Sequence, residues 1–152
     1  MAKFTFPLAT LLKLREQTRD EKREDLAEAY RDEEIIAEEE RRLEGELSEL
    51  TRKSRRASAP GRLDLARLRE LGRSEALLRA RRQNTTKRHR AARAEIEARL
   101  ATLVEANRGV RVLETLRRRQ LDCHRTEENR RDTREMDETA ARSAAKGRDV
   151  DG

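Results

Sequence analysis

The sequence predicts an all-α protein, an antiparallel two-helix coiled-coil hairpin with a short helical or loop segment at its tip. Three observations lead there. The 152 residues are 45% charged, 34% hydrophobic and 2% aromatic, with a mean hydropathy of −1.10. That is too polar for a thick globular core and suits long helices that bury one narrow stripe. Helix breakers are scarce, two prolines and six glycines, against a background of Ala, Glu, Lys, Leu and Arg, the better helix formers. Finally, two stretches carry seam residues at alternating steps of three and four, the spacing of a coiled coil.

Taken in order, Pro7 suits the first turn of a helix, where its missing N–H is harmless, and no proline follows until Pro60. Helix 1 is therefore expected over about 7–55, roughly 70 Å at 1.5 Å per residue. "RASAPGR" at 56–62 reads as a loop, and "LGRSEALL" at 71–78 as a weaker break, with Gly72 ending a short helix and Ser74 capping the next. The tip is thus placed at 56–74 and helix 2 at about 75–145, interrupted only by Gly109 at a tolerable penalty of about 1 kcal/mol. A frayed tail, 146–152, completes a single coiled-coil domain spanning 1–152.

The first seam runs Leu26, Ala29, Glu33, Ile36, Glu40, Leu43, Leu47, Leu50. The second runs Leu78, Arg82, Thr85, His89, Ala92, Ile96, Leu100, Leu103, Asn107, Val110, then drifts through Leu113, Leu116 and Gln120. Both contain polar residues, the mark of a marginal coiled coil able to slip or bend. Folding at the tip sets residue 50 opposite roughly 80 and residue 8 opposite roughly 122. About twenty C-terminal residues then overhang, and an unpaired helix is only marginally stable in water.

Charge is unevenly placed. Residues 1–50 carry 9 Lys and Arg against 15 Asp and Glu, residues 51–93 carry 15 against 3, and residues 94–152 carry 13 against 13. An acidic first arm beside the basic start of the second favours antiparallel pairing through flanking charges, and the larger basic excess leaves the loop end positive.

Enzymatic motifs are missing: there is no phosphate loop, no GxSxG and no HExxH, and His89 and His124 stand far apart in sequence. Cys123 and His124 are neighbours, but adjacent helical positions do not face each other. No Cys/His spacing suits zinc, and "EEE" at 38–40 reads as a solvated face; neither catalysis, cofactor nor metal is expected. With no apolar run of about 18 residues and no signal peptide, the chain is expected in the cytosol, meeting a membrane only through partners. The basic run "RARRQNTTKRHRAAR" at 79–93 has three readings: a nucleic-acid patch, a face for an acidic protein, or a solvated flank balancing the acidic arm. It lacks the aromatic residues that stack bases, which disfavours nucleic acid.

Two of the three aromatic residues, Phe4 and Phe6, lie within six residues of the start. With Leu8, Leu11, Leu12 and Leu14 they form an apolar cluster. Either it closes the end of the hairpin against Leu116, Leu121 and the alkyl stems of Arg117 and Arg118, or it docks into another protein.

"FTFPLATLLKLRE" at 4–16 closely resembles the N-terminal signature of the FliJ family of flagellar export proteins, F-x-F/Y-x-L-x-x-L-L-x-x-R, which falls here on Phe4, Phe6, Leu8, Leu11, Leu12 and Arg15. "LETLRRRQLDCHRTEENRRDTREMDETAARS" at 113–143 is similar to the family's C-terminal run, through Leu113, Glu114, Leu116, Arg117, Glu128, Arg130, Asp137, Glu138, Ala140 and Arg142. His124 sits where that family commonly has an aromatic, and the segment 70–85 lacks the aromatics often found there. The resemblance implies a non-enzymatic component of the flagellar type III export apparatus, an antiparallel coiled coil similar to the central stalk of rotary ATP synthases. Its implied partners are the export ATPase ring, the export gate at the inner membrane and export chaperones. ATPase contacts would fall on Phe4, Phe6, Leu8, Leu11, Leu12, Leu113, Leu116, Arg117 and Gln120. Gate contacts would fall on Leu71, Leu77, Leu78, Arg81 and Gln83. A monomeric hairpin is favoured over a homodimer. The equivalent stalk of a virulence secretion system, a structural adaptor and a basic RNA-binding hairpin are the alternatives.

Overall fold

The computed structural model describes residues 3–61 and 63–148, with side chains through 143. Helix α1 spans Ala9–Ala57 and helix α2 spans Leu65–Arg148. No strand occurs among the described residues, and the two long helices pack on each other as an all-α hairpin. Of the tail expected at 146–152, α2 takes in the residues up to 148, and the rest lies outside the described residues.

Pro7 sits in the turn that leads into α1, where the Ala9 amide donates to the Phe6 carbonyl at 3.2 Å and the Leu12 amide to the Leu8 carbonyl at 2.9 Å. Arg55 and Arg56 occupy the last turn of α1, where cations complement the negative end of the helix dipole. The Ser58 hydroxyl donates to the Ser54 and Arg55 carbonyls at 3.0 and 3.2 Å, serving acceptors that the helix end leaves without partners. Gly61 then takes φ +97°, the sole positive φ among the described residues, a conformation glycine adopts without a Cβ clash.

Helix α2 starts ten residues before the expected position near 75. Asp64 explains it: its carboxylate accepts the Arg67 amide at 3.1 Å and its carbonyl the Leu68 amide at 3.0 Å, the geometry of a helix N-cap. The break expected at 71–74 is absent, because a helical Gly72 costs only about 1 kcal/mol while Leu68, Leu71, Glu75 and Leu78 carry on the half-buried stripe. The shorter loop moves the register by one helical turn. Glu44 pairs with Arg82, where the expected register puts residue 86.

The chain divides into two compact units. In the unit Asp20–Glu105, Leu26, Ala29 and Ile96 form a core with Leu103 against it, and Leu43 and Thr85 are buried along the same helices. Every residue assigned to the first seam, from Leu26 to Leu50, is buried or half-buried. On α2 the seam takes Arg99 instead of Leu100: Leu100 is 44% exposed, whereas the Arg99 guanidinium donates to the Asp25 carbonyl at 2.5 Å and meets Glu95 at 2.7 Å and Glu28 at 3.8 Å. After the four-residue step from Ala92 to Ile96, alternation calls for a step of three, which gives position 99. Arg82 likewise points outward.

Candidate functional site: a chain-end cluster and a basic helix face

The other unit joins the described residues up to 19 with those from 106 onward. Phe6, Leu12, Val110 and Leu113 form its core, with Phe4 and Leu116 packed against it. Phe4 meets the His124 ring edge-on, centroids 5.6 Å apart at 64°, a favourable aromatic geometry; His124 thus does an aromatic's work. Along α2, the Arg15 stem packs beside Gly109, its Cδ 3.8 Å from where a Cβ would stand, an ordinary contact distance.

Of the residues expected to bind the ATPase, Phe6, Leu12 and Leu113 are buried, and Phe4, Leu116 and Gln120 are half-buried. Leu8, Leu11 and Arg117 are exposed. Closure of the chain end by its own residues is therefore what the phenylalanines do here, and the solvent-facing part of the cluster is Leu8 and Leu11, at 37% and 39% exposure, with Leu14 beyond at 57%. Val110 was legible as a seam position but not as the centre of this cluster, which its drift away from regular spacing obscured.

The residues expected at the gate belong to the first unit described. Leu71 and Leu78 are half-buried in the seam, while Leu77, Arg81 and Gln83 are exposed. Gln83 lies in a shallow trough on the outside of α2 with Ala76, Ala80, Lys87 and Arg90. Much of the basic run is engaged within the chain: Arg82 meets Glu44 at 2.6 Å, Arg88 meets Glu39 at 3.0 Å, Arg93 meets Glu33 at 3.6 Å and Arg79 meets Glu75 at 2.6 Å. The first three of these pairs join the basic run to the acidic arm, and the fourth lies within α2.

Between these pairs lies a polar cluster that sequence reasoning saw only as impurities in two seams. His89 is clamped from both edges: Nε2 lies 2.6 Å from Glu33 Oε1 and Nδ1 lies 2.7 Å from Glu40 Oε2. Thr86 donates to the other Glu40 oxygen at 2.7 Å. The His89 side chain is 15% exposed and those of Glu33 and Glu40 are each 22% exposed. Hydrogen bonds to Glu33 and Glu40 raise the pKa of His89 above its usual value, against partial burial and the nearby Arg93 charge. Bonds from His89 lower Glu33, and bonds from Thr86 and then His89 lower Glu40. The carboxylates grip opposite edges of the ring, so they do not converge on one cation, and no group of three metal-binding side chains occurs among the described residues.

This two-helix pattern, with its aromatic start and its C-terminal charged run, is matched from residue 4 to residue 149 by the model of a protein family described as the flagellar FliJ protein. The chain belongs to the FliJ family. No curated protein and no solved structure matches it. Membership makes it a flagellar export-related protein, and the FliJ family is a non-catalytic component of flagellar export. No described helix is long and apolar enough to cross a membrane.

Proposed function

We propose that this FliJ-family chain binds the flagellar export ATPase ring as a central-stalk-like coiled coil. In that role it links the ring to the export gate and to export chaperones, working in the cytoplasm as a monomeric hairpin, peripheral to the inner membrane through its partners. The observation that carries the reading is the chain-end cluster. Two phenylalanines are spent on holding the first turns of α1 against Val110, Leu113 and Leu116, and this leaves Leu8 and Leu11 exposed side by side as a small apolar edge. An edge of that kind, with Arg117 exposed in the same unit, suits a socket in a ring. Leu77, Arg81 and Gln83 are the exposed candidates for a gate contact.

The test separates docking from folding. L8A/L11A is expected to weaken capture of the partner P-loop ATPase at least tenfold, and to abolish stimulation of its hydrolysis, with helicity by circular dichroism unchanged. Undiminished capture by that variant would count against the reading. F6A is the folding control and should lower thermal stability first.

A further inference from the structure

The His89 cluster belongs to no role considered so far. On α1, Glu33 and Glu40 occupy two seam positions seven residues, or about two turns, apart and both point inward. Two carboxylates held there need a donor, and a single ring supplies one to each. Only the imidazolium form has two N–H groups; the neutral ring has one donor and one acceptor. Deprotonation would leave a lone pair facing a carboxylate at about 2.7 Å, and an interface this narrow has little apolar packing nearby to compensate. Among apolar residues of this unit, only Leu26, Ala29, Leu43 and Ile96 are buried.

We propose that His89, between Glu33 and Glu40, is a proton-operated latch on the middle of the hairpin, closed when the ring is an imidazolium and loosened when it is neutral. The groups facing it are Glu33 and Glu40 from α1, and Thr86 and Arg93 from α2, with Arg82 adding its charge at Glu40. Both glutamates favour the charged ring; Arg93 opposes it and is itself held by Glu33. A raised histidine pKa contributes stability that is complete below the unfolded value of about 6.5 and is lost as pH rises through the higher folded value. The latch therefore opens as pH rises above the usual histidine value. A local opening there would let the two helices shift against each other without unfolding the unit.

The latch is independent of any ATPase or gate, and its test uses the purified full chain alone. Nitrogen-detected NMR should show both ring nitrogens of His89 protonated at pH 6.5, with a midpoint above the usual histidine value. The melting temperature should fall by several degrees between pH 6.5 and pH 9. In H89Q it should be lower at pH 6.5 and nearly level over the same range; in H89K, which keeps a cation throughout, it should be level without that initial loss. Hydrogen exchange, corrected for intrinsic rate, should rise at alkaline pH in 30–43 and 82–96 of the wild type and not in H89K. A neutral His89 at pH 6.5, or a pH dependence that wild type shares with H89K, would overturn the proposal.

Discussion

At the scale of single residues, few side chains carry much of the packing. Phe6 is 6% exposed and Val110 2%, in a core of four residues, so F6A should cost about 3 kcal/mol, read from chemical denaturation as a lower midpoint. The Asp64 carboxylate caps the start of α2; D64A should cost about 1 kcal/mol, with helicity lost at the loop end by exchange. Glu33 and Glu40 add an acid limb. Their pKa values are lowered, so the stability they contribute is present above about 4.5 and is lost as pH falls through the depressed values. E33Q/E40Q should flatten the acid side of the stability profile and shrink the alkaline slope that His89 produces.

At the scale of elements, α1 was largely legible. Breaker scarcity predicted a helix of nearly fifty residues, and α1 has 49; every position that the steps of three and four named from Leu26 to Leu50 is turned inward. The start of α2 was not legible, because Gly72 and Ser74 look like punctuation and Asp64 looks like one more loop residue. Capping and a continuing leucine stripe outweigh one glycine. A direct consequence follows for Gly72, where an added Cβ meets nothing within 4 Å. G72A should stabilise the chain by about 1 kcal/mol, whereas a helix break at that point would make the change neutral or harmful. Leu100 misled for a related reason: hydrophobicity argued for the seam, but spacing gave the place to Arg99, whose long stem and charged head reach the Asp25 carbonyl. At the far end, residues 129–143 are exposed throughout, so truncation after 128 should leave the melting temperature within a degree or two.

At the scale of the molecule, the uneven charge along the sequence became pairs across unit Asp20–Glu105: Arg82 with Glu44, Arg88 with Glu39, Arg93 with Glu33. Exposed pairs like these contribute roughly 0.2–1 kcal/mol each, enough to favour one direction of pairing and too little to hold the helices alone. What no local pattern could show was the His89 clamp, since His89 lies 49 and 56 residues from Glu40 and Glu33 in sequence and meets them only once the register is set. The export family was legible at the two ends of the chain, where its motifs lie, and the identity of partner surfaces was not, because Phe4, Phe6, Leu12, Leu113 and Leu116, most of the motif's apolar residues, turn inward. The measurement that bears most directly on the whole account is a distance between spin labels at Asp32 and Ala91, which line one groove between α1 and α2, in a Cys123→Ser background diluted with unlabelled chain. A hairpin folded within one chain predicts a separation below about 25 Å, since packed helix axes lie about 8–10 Å apart. A separation near 90 Å, the length of about sixty helical residues, would contradict it.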